Sequence, residues 1–292
     1  MKHSVMRGLI ITADDFGLHE RVNEAVERGH REGILACTSL MVSAPAAADA
    51  IVRAKRCPSL RVGLHIVLAD GQSTLGAARV PALTEASGWM PDAPFFDGVR
   101  YSLLPHVRRQ LAEEIRAQFE AFIATGLPLD HVNTHKHRHV HPVVLSLILA
   151  IGRDYGMHAM RLPSEARAPL WLRPWTALVR RRLARARIAH NDYVIGIAQT
   201  GRFDETAWLA ALAQIGSHTT GVVEIYCHPA VRGGAPLTPS MQDYRHADEL
   251  AALLSPRVAK ALEAVRQRGI AFGGFADVFA DAADAFGARR LA

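Results

Sequence analysis

With 292 residues, 49% of them hydrophobic, the chain can bury one large α/β core or two smaller ones, and disorder is not the default reading. Lysine and arginine outnumber aspartate and glutamate by 34 to 28, a formal charge of +6, but seven arginines and no acid lie between Arg167 and Arg187, so the excess is a local patch and no nucleic-acid partner is expected. No apolar run reaches the roughly 18 residues that span a bilayer, the N-terminus turns acidic without a small-residue cleavage site, and Cys37, Cys57 and Cys227 lack paired spacing; these exclude a membrane span, a secretory leader and a disulfide framework, and a cytoplasmic location is expected.

Residues 9–13 form a short apolar run rich in β-branched side chains, ended by Asp14, Asp15, Phe16 and Gly17, and read as a buried parallel strand followed by a turn. Helical character over 22–31, a strand over 34–42, a helix over 44–54 and a strand over 60–68 follow, an alternation that implies crossover units and a parallel sheet. The stretch 69–105, with four glycines and four prolines, reads as a loop, long enough to be a lid or substrate wall. Leu111, Ile115, Phe119 and Phe122 are spaced as one buried stripe of a helix over 107–125. Strands are expected over 127–133, 159–162, Gly221–Cys227 and 270–275, with helices over 142–151, 203–215 and 247–267. About seven such units in a single domain over 1–292 fit a (β/α) barrel, TIM-like but distorted, with an open doubly wound sheet as the alternative.

The chemistry gathers at predicted strand ends, where parallel α/β folds build their active sites. Asp14 and Asp15 follow the first strand, His65 lies late in the third, His135 follows the fourth and His228 follows Gly221–Cys227. Between them runs HVNTHKHRHVH, in which His131, Asn133, His135, His137, His139 and His141 alternate; extended backbone would place these side chains on one face, where imidazoles converge on a metal or on one another. One Asp with two His makes a facial set that leaves positions open for water and substrate, and the second Asp is free to act as a base. Adjacent carboxylates face opposite ways on a regular strand, so both reach one centre only as the chain leaves it, a departure that Gly17 permits.

TADDFG, VGLH, HVNTHKHRHVHP and EIYCHP together resemble, in order, the motifs of the YdjC-like carbohydrate deacetylases, which remove N-acetyl groups from amino sugars such as chitooligosaccharides; they span 8–229. The resemblance implies a (β/α) barrel and one divalent ion, zinc, magnesium or another, held by Asp15, His65 and His135. It further implies Asp14 as the base on the water and His228 as the acid that protonates the departing amine. His137 and His139 would support the site or touch the sugar, or be structural. Many members carry Asp where this chain has Asn133, which accepts a hydrogen bond but adds no charge. Arg161 either pairs with Asp14 and tunes it or forms a salt bridge on the barrel rim. A homodimer is a family-level expectation.

The NTHKH wording, NEAVERGHREG and SAPAAADA resemble the branch associated with hopanoid biosynthesis, which implies an N-acetylglucosaminyl glycolipid as substrate. Such a substrate lives in a membrane. Over 169–188, Leu172, Trp175, Val179 and Leu183 make one helical stripe, with Trp171 beside it and Arg180 and Arg181 on other faces; this is either an interfacial helix docking the enzyme on the inner membrane or a core-packed helix with a solvated basic face. A metal-dependent phosphoesterase and a non-catalytic lipid- or metal-binding protein are the competing functions.

Overall fold

Apolar runs between polar turns decide where the strands lie. Leu9, Ile10 and Ile11 have no exposed surface, and the run around them extends as β1 (Met6–Phe16), buried on both faces as the interior of a parallel sheet requires. The computed structural model describes residues 6–165, 173–218 and 221–280. Within them β1 is followed by α1 (Glu20–Arg31), β2 (Cys37–Leu40), α2 (Ala47–Lys55) and β3 (Arg61–Ile66). A short antiparallel pair, β4 (Gly71–Gln72) and β5 (Trp89–Met90), leads to α3 (Pro94–Leu103) and α4 (Pro105–Ala124). Then come β6 (Val132–Thr134), a 3-10 turn over His135–Val140, α5 (Pro142–Gly152), α6 (Arg173–Arg185), β7 (Tyr193–Ile195), α7 (Glu205–His218) and β8 (Gly221–Cys227). The chain continues through α8 (His246–Leu253), α9 (Pro256–Arg266), β9 (Ala271–Gly273) and α10 (Phe275–Val278).

The parallel sheet runs β6-β3-β2-β1-β8-β7. β9 pairs with β1 at Gly8, Leu9 and Ile10, while β2 joins the same strand further on, from Thr12 to Phe16. The expected barrel does not close. Among the described residues β6 and β7 are not paired with each other, and the gap between them holds the isolated bridges Val132 with Met160 and Ala159 with Ala189. These bridges are what becomes of the strand expected over 159–162. The side-chain amide of Asn191 takes both the N–H and the carbonyl of Leu162, at 2.7 and 2.8 Å, standing where a neighbouring strand would, and Pro163 has no N–H to continue a ladder.

Two other expectations change. The helix expected over 247–267 is two, because Ser255 Oγ accepts the N–H groups of Arg257 and Val258 and Pro256 opens α9. The loop over 69–105 contains α3. The stripe of α4 is as expected: Leu111, Ile115, Phe119 and Phe122 are fully buried.

The stripe on α6 turns inward. Val179 and Leu183 are buried, and half-buried Trp175 donates its Nε1–H to the Val140 carbonyl at 3.1 Å. Arg180 reaches Asp192 at 2.8 Å, whereas Arg181 is exposed. The interfacial reading therefore loses its apolar face to the core here; Trp171 and Leu172 lie outside the described residues. No helix among the described residues is long and apolar enough to cross a membrane.

Candidate active site

β1 bends as it leaves the sheet. Its register with β2 shifts between Ala13 and Phe16, and Asp15 takes a left-handed backbone at φ 66°, which a short polar side chain tolerates. Gly17 follows at φ 98°, where a Cβ would stand 2.9 Å from the Met41 carbonyl. The bend turns both carboxylates into one buried chamber, each with 2% of its surface exposed.

Asp15 Oδ1 lies 3.2 Å from His65 Nε2 and 3.1 Å from His135 Nδ1, and the two nitrogens are 3.4 Å apart. Donors about 2.0–2.1 Å from a tetrahedrally held divalent ion stand roughly 3.3–3.4 Å from one another, so this triangle fits such an ion. Two further observations agree. Asp15 Oδ2 is buried with no hydrogen-bond partner. His65 Nδ1 is 2.6 Å from Asn133 Oδ1, an acceptor, so that nitrogen carries the hydrogen and the Nε2 lone pair points at the centre of the triangle. Burial alone would lower the His135 imidazole, but the charge of Asp15 and its hydrogen bond raise it to about 9. An arriving cation therefore displaces a proton there.

Asn133 joins this group to the next. Its Nδ2 donates to Asp14 Oδ1 at 3.1 Å and to Ser39 Oγ at 3.2 Å. An aspartate here would face Asp14 with a second negative charge, whereas the amide serves His65 as acceptor and Asp14 as donor. Ser39 Oγ also donates to Asp14 Oδ1, at 2.8 Å. Fully buried Arg161 donates to Asp14 at 2.5 and 2.9 Å and to Glu224 at 2.9 and 2.7 Å, and Glu224 in turn accepts from Thr12 Oγ1 at 2.7 Å. Burial would raise the Asp14 carboxyl, but the guanidinium overrides it and holds that group far below the usual carboxylate range. Of the two readings of Arg161, the geometry carries the pairing with Asp14, in the interior and not on the rim.

His228 closes the other side. Its ring packs edge-on between Tyr226 and Tyr244, at centroid distances of 5.3 and 5.5 Å, and burial lowers its pKa against the opposing pull of Asp15 and Asp14. α8 clamps its main chain from behind: Glu249 accepts the His228 N–H at 2.5 Å, and His246 Nδ1 donates to the His228 carbonyl at 2.6 Å. Burial pushes the Glu249 carboxyl up to about 7.

The histidine run is not extended. Lys136 and His137 are both left-handed, at φ 53° and 52°, and reverse the chain directly after His135. Only His135 reaches the triangle. His137 Nε2 stands 3.3 Å from Tyr226 Oη. His139 is fully buried, with its Nδ1 2.7 Å from Thr134 Oγ1, and ties down the turn. His141 packs on Tyr101, and His131 points to the opposite end of the sheet. There Cys37, Asp130 and His131 form a second convergent group, in which Asp130 accepts the amides of Phe275 and Ala276.

Sequence reasoning passed over Ser39, Glu224, Glu249 and Asp70, whose Oδ2 accepts from Lys136 Nζ at 2.8 Å and lies 3.9 Å behind His135 Nε2. The one available signal was Glu224, a single acid inside an otherwise apolar strand.

Among known proteins, the chain is 29% identical over 265 residues to a carbohydrate deacetylase of Geobacillus stearothermophilus, an alignment that covers 90% of this chain and 95% of that one. It is 36% identical over 147 residues to a carbohydrate deacetylase of Brevibacillus brevis, covering 50% of this chain and 56% of the relative, so the chain spans about half the length of the first relatives it matches. A solved structure from Enterococcus faecalis, named for cellobiose-phosphate cleavage, superposes with a TM-score of 0.71 at 22% identity over 92% of this chain and 97% of that one, which shows a shared fold. The family model for YdjC-like proteins matches residues 8–264. The chain belongs to the YdjC-like protein family.

Proposed function

We propose that the protein is a metal-dependent carbohydrate deacetylase that removes the acetyl group from an N-acetylated amino sugar. The observation that carries this reading is the donor triangle of Asp15, His65 and His135 beside a carboxylate, Asp14, that Arg161 keeps ionised. The names of the relatives from Geobacillus stearothermophilus and Brevibacillus brevis point the same way.

A divalent ion held by those three residues supplies Lewis acidity, which acidifies water and polarises an amide carbonyl. The rest falls to side chains. Asp14 takes a proton from the attacking water as its oxygen bonds to the acetyl carbon. Arg161, Ser39 and Asn133 hold that carboxylate in one orientation and keep it ionised, with lone pairs free to accept. The carbon–nitrogen bond then breaks, and His228 gives the nitrogen its proton. Its lowered pKa keeps the ring neutral at rest, so the proton it gives the nitrogen is the one that Asp14 has taken from the water, and both side chains end the cycle as they began it.

The substrate we favour is an N-acetylglucosaminyl glycolipid of the hopanoid type, with soluble chitooligosaccharides as the alternative. A phosphoesterase would want a second ion about 3.5–4 Å from the first. Among the described residues the other ligand-like group, Cys37, Asp130 and His131, sits at the opposite end of the sheet. Acetate release from N-acetylated chitooligosaccharide and from glycolipid, measured with chelated and metal-reloaded enzyme, tests the proposal. Metal-independent release, or no release from either substrate, would count against it.

A further inference from the structure

The surface of the molecule carries one anomaly. Of the eight large hydrophobic side chains exposed among the described residues, five lie between 95 and 104, with Phe95 at 76%, Phe96 at 70%, Val99 at 43% and Leu103 at 70%. At 3.6 residues per turn, Phe95, Phe96, Val99 and Leu103 share one face of α3. The helix is inside out: the side chains it buries are Asp97 and Tyr101, and its apolar face meets water. Monomeric proteins keep such patches for a partner or a membrane.

Charge and size choose between the two. Between 94 and 110 stand Arg100, Arg108 and Arg109 against one acid, Asp97, which is buried and faces Arg138 at 3.6 Å and Arg100 at 3.8 Å. Exposed Asp92, just before the helix, is paired with Lys136 at 2.7 Å and Arg138 at 2.5 Å, so the charge left outward around the apolar face is positive, the complement of anionic headgroups. A ten-residue helix is about 15 Å long. Its face is small beside the roughly 800 Å² that each partner of a stable dimer buries, but it suits an interfacial helix, which sinks about 5–10 Å into the headgroup boundary. A cavity of about 530 Å³ lies behind α3, on its buried side, between Gly98 and Tyr101 and the segment of Val140, His141 and Trp175, with Asp92, Lys136 and Arg138 also in its wall.

We infer that α3 is a lipid-docking element: Phe95, Phe96, Val99 and Leu103 insert into the surface of an anionic bilayer, with Arg108 and Arg109 against its headgroups. This assigns to α3 the role that the sequence pattern gave to 169–188, and it stands whatever reaction the site performs.

The test is co-sedimentation of the full chain with vesicles of phosphatidylethanolamine and phosphatidylglycerol, and with phosphatidylcholine alone. The parent protein is compared with the triple variant Phe95→Ser, Phe96→Ser, Leu103→Ser and with Arg180→Ala, Arg181→Ala on α6. The parent is expected to partition onto the anionic vesicles and to be weakened by salt. The triple variant should lose at least on the order of tenfold in partitioning, while its thermal unfolding and its activity on a water-soluble substrate stay at parental levels and the α6 variant still binds. A parent that stays in the supernatant overturns the inference, as does a triple variant that sediments like the parent, or loss of binding in the α6 variant alone. So does a parental dimer that becomes monomeric in the triple variant by light scattering, which would make the patch a contact between copies. A protein that binds vesicles but releases no acetate counts against the deacetylase reading and leaves the docking surface in place.

Discussion

Replacing Arg161 by methionine removes the cation that ties Asp14 to Glu224 and leaves an unbranched apolar chain in its space. Four hydrogen bonds go, at 2.5 and 2.9 Å to Asp14 and at 2.9 and 2.7 Å to Glu224. Two carboxylates, 2% and 0% exposed, lose their counter-charge. Breaking a buried pair by removing one partner costs about 3–5 kcal/mol, and in a chain of this size each kcal/mol moves the melting temperature by about 2–4 °C, so a drop on the order of 10 °C is expected. In the parent the Asp14 carboxyl lies below its unfolded value, so its contribution is present above the unfolded pKa of about 4 and fades as the pH falls further. Without the guanidinium, burial pulls that carboxyl upward. The variant is then weakest at neutral and alkaline pH and recovers as Asp14 takes up a proton. Urea denaturation of both proteins at about pH 8 and about pH 5 should show a gap that narrows at the lower pH. A gap below about 1 kcal/mol, or one equal at both pH values, would refute the view that this guanidinium neutralises the chamber.

Three further outcomes follow from the same contacts. Asp14→Asn keeps the donor triangle and should retain metal while losing about 10²–10⁴-fold in turnover; a parental rate would remove Asp14 from the reaction. Because His135 is raised to about 9 in the metal-free site, metal uptake displaces a proton, and apparent affinity should climb as the pH rises from about 6 to about 9; calorimetry in buffers of different ionisation enthalpy reads the released proton, and a pH-independent affinity with no release would contradict the assignment. Glu249→Ala leaves the N–H groups of Phe203 and His228 without their acceptor and frees the His228 main chain; kcat should fall with KM little changed, and an unchanged kcat would show that α8 does not position His228.

The ends of the strands were legible because apolar runs stop abruptly at polar residues. LIITA before Asp14, VGL before His65 and EIYC before His228 each mark one, and the structure brings those side chains to one mouth. The path of the histidine run was not legible. Period-2 spacing speaks only for extended backbone, and two consecutive left-handed residues, Lys136 and His137, send its members to different places. Glu224 and Ser39 were hidden for another reason: a polar side chain inside a strand declares its partner only when segments distant in sequence come together, as Arg161 and Glu224 do across 63 positions. α3 escaped notice because its apolar side faces solvent, so its pattern does not mark a core. The open side of the barrel was not legible either, because the Asn191 side chain that takes both main-chain groups of Leu162 comes from 29 residues further along the chain.

Anomalous diffraction from a crystal loaded with a divalent metal tests the central claim most directly. One peak is predicted within bonding distance, about 2.0–2.3 Å, of Asp15, His65 Nε2 and His135 Nδ1 together. A peak at Cys37, Asp130 and His131 instead, or none between Asp15 and the two histidines, would contradict it.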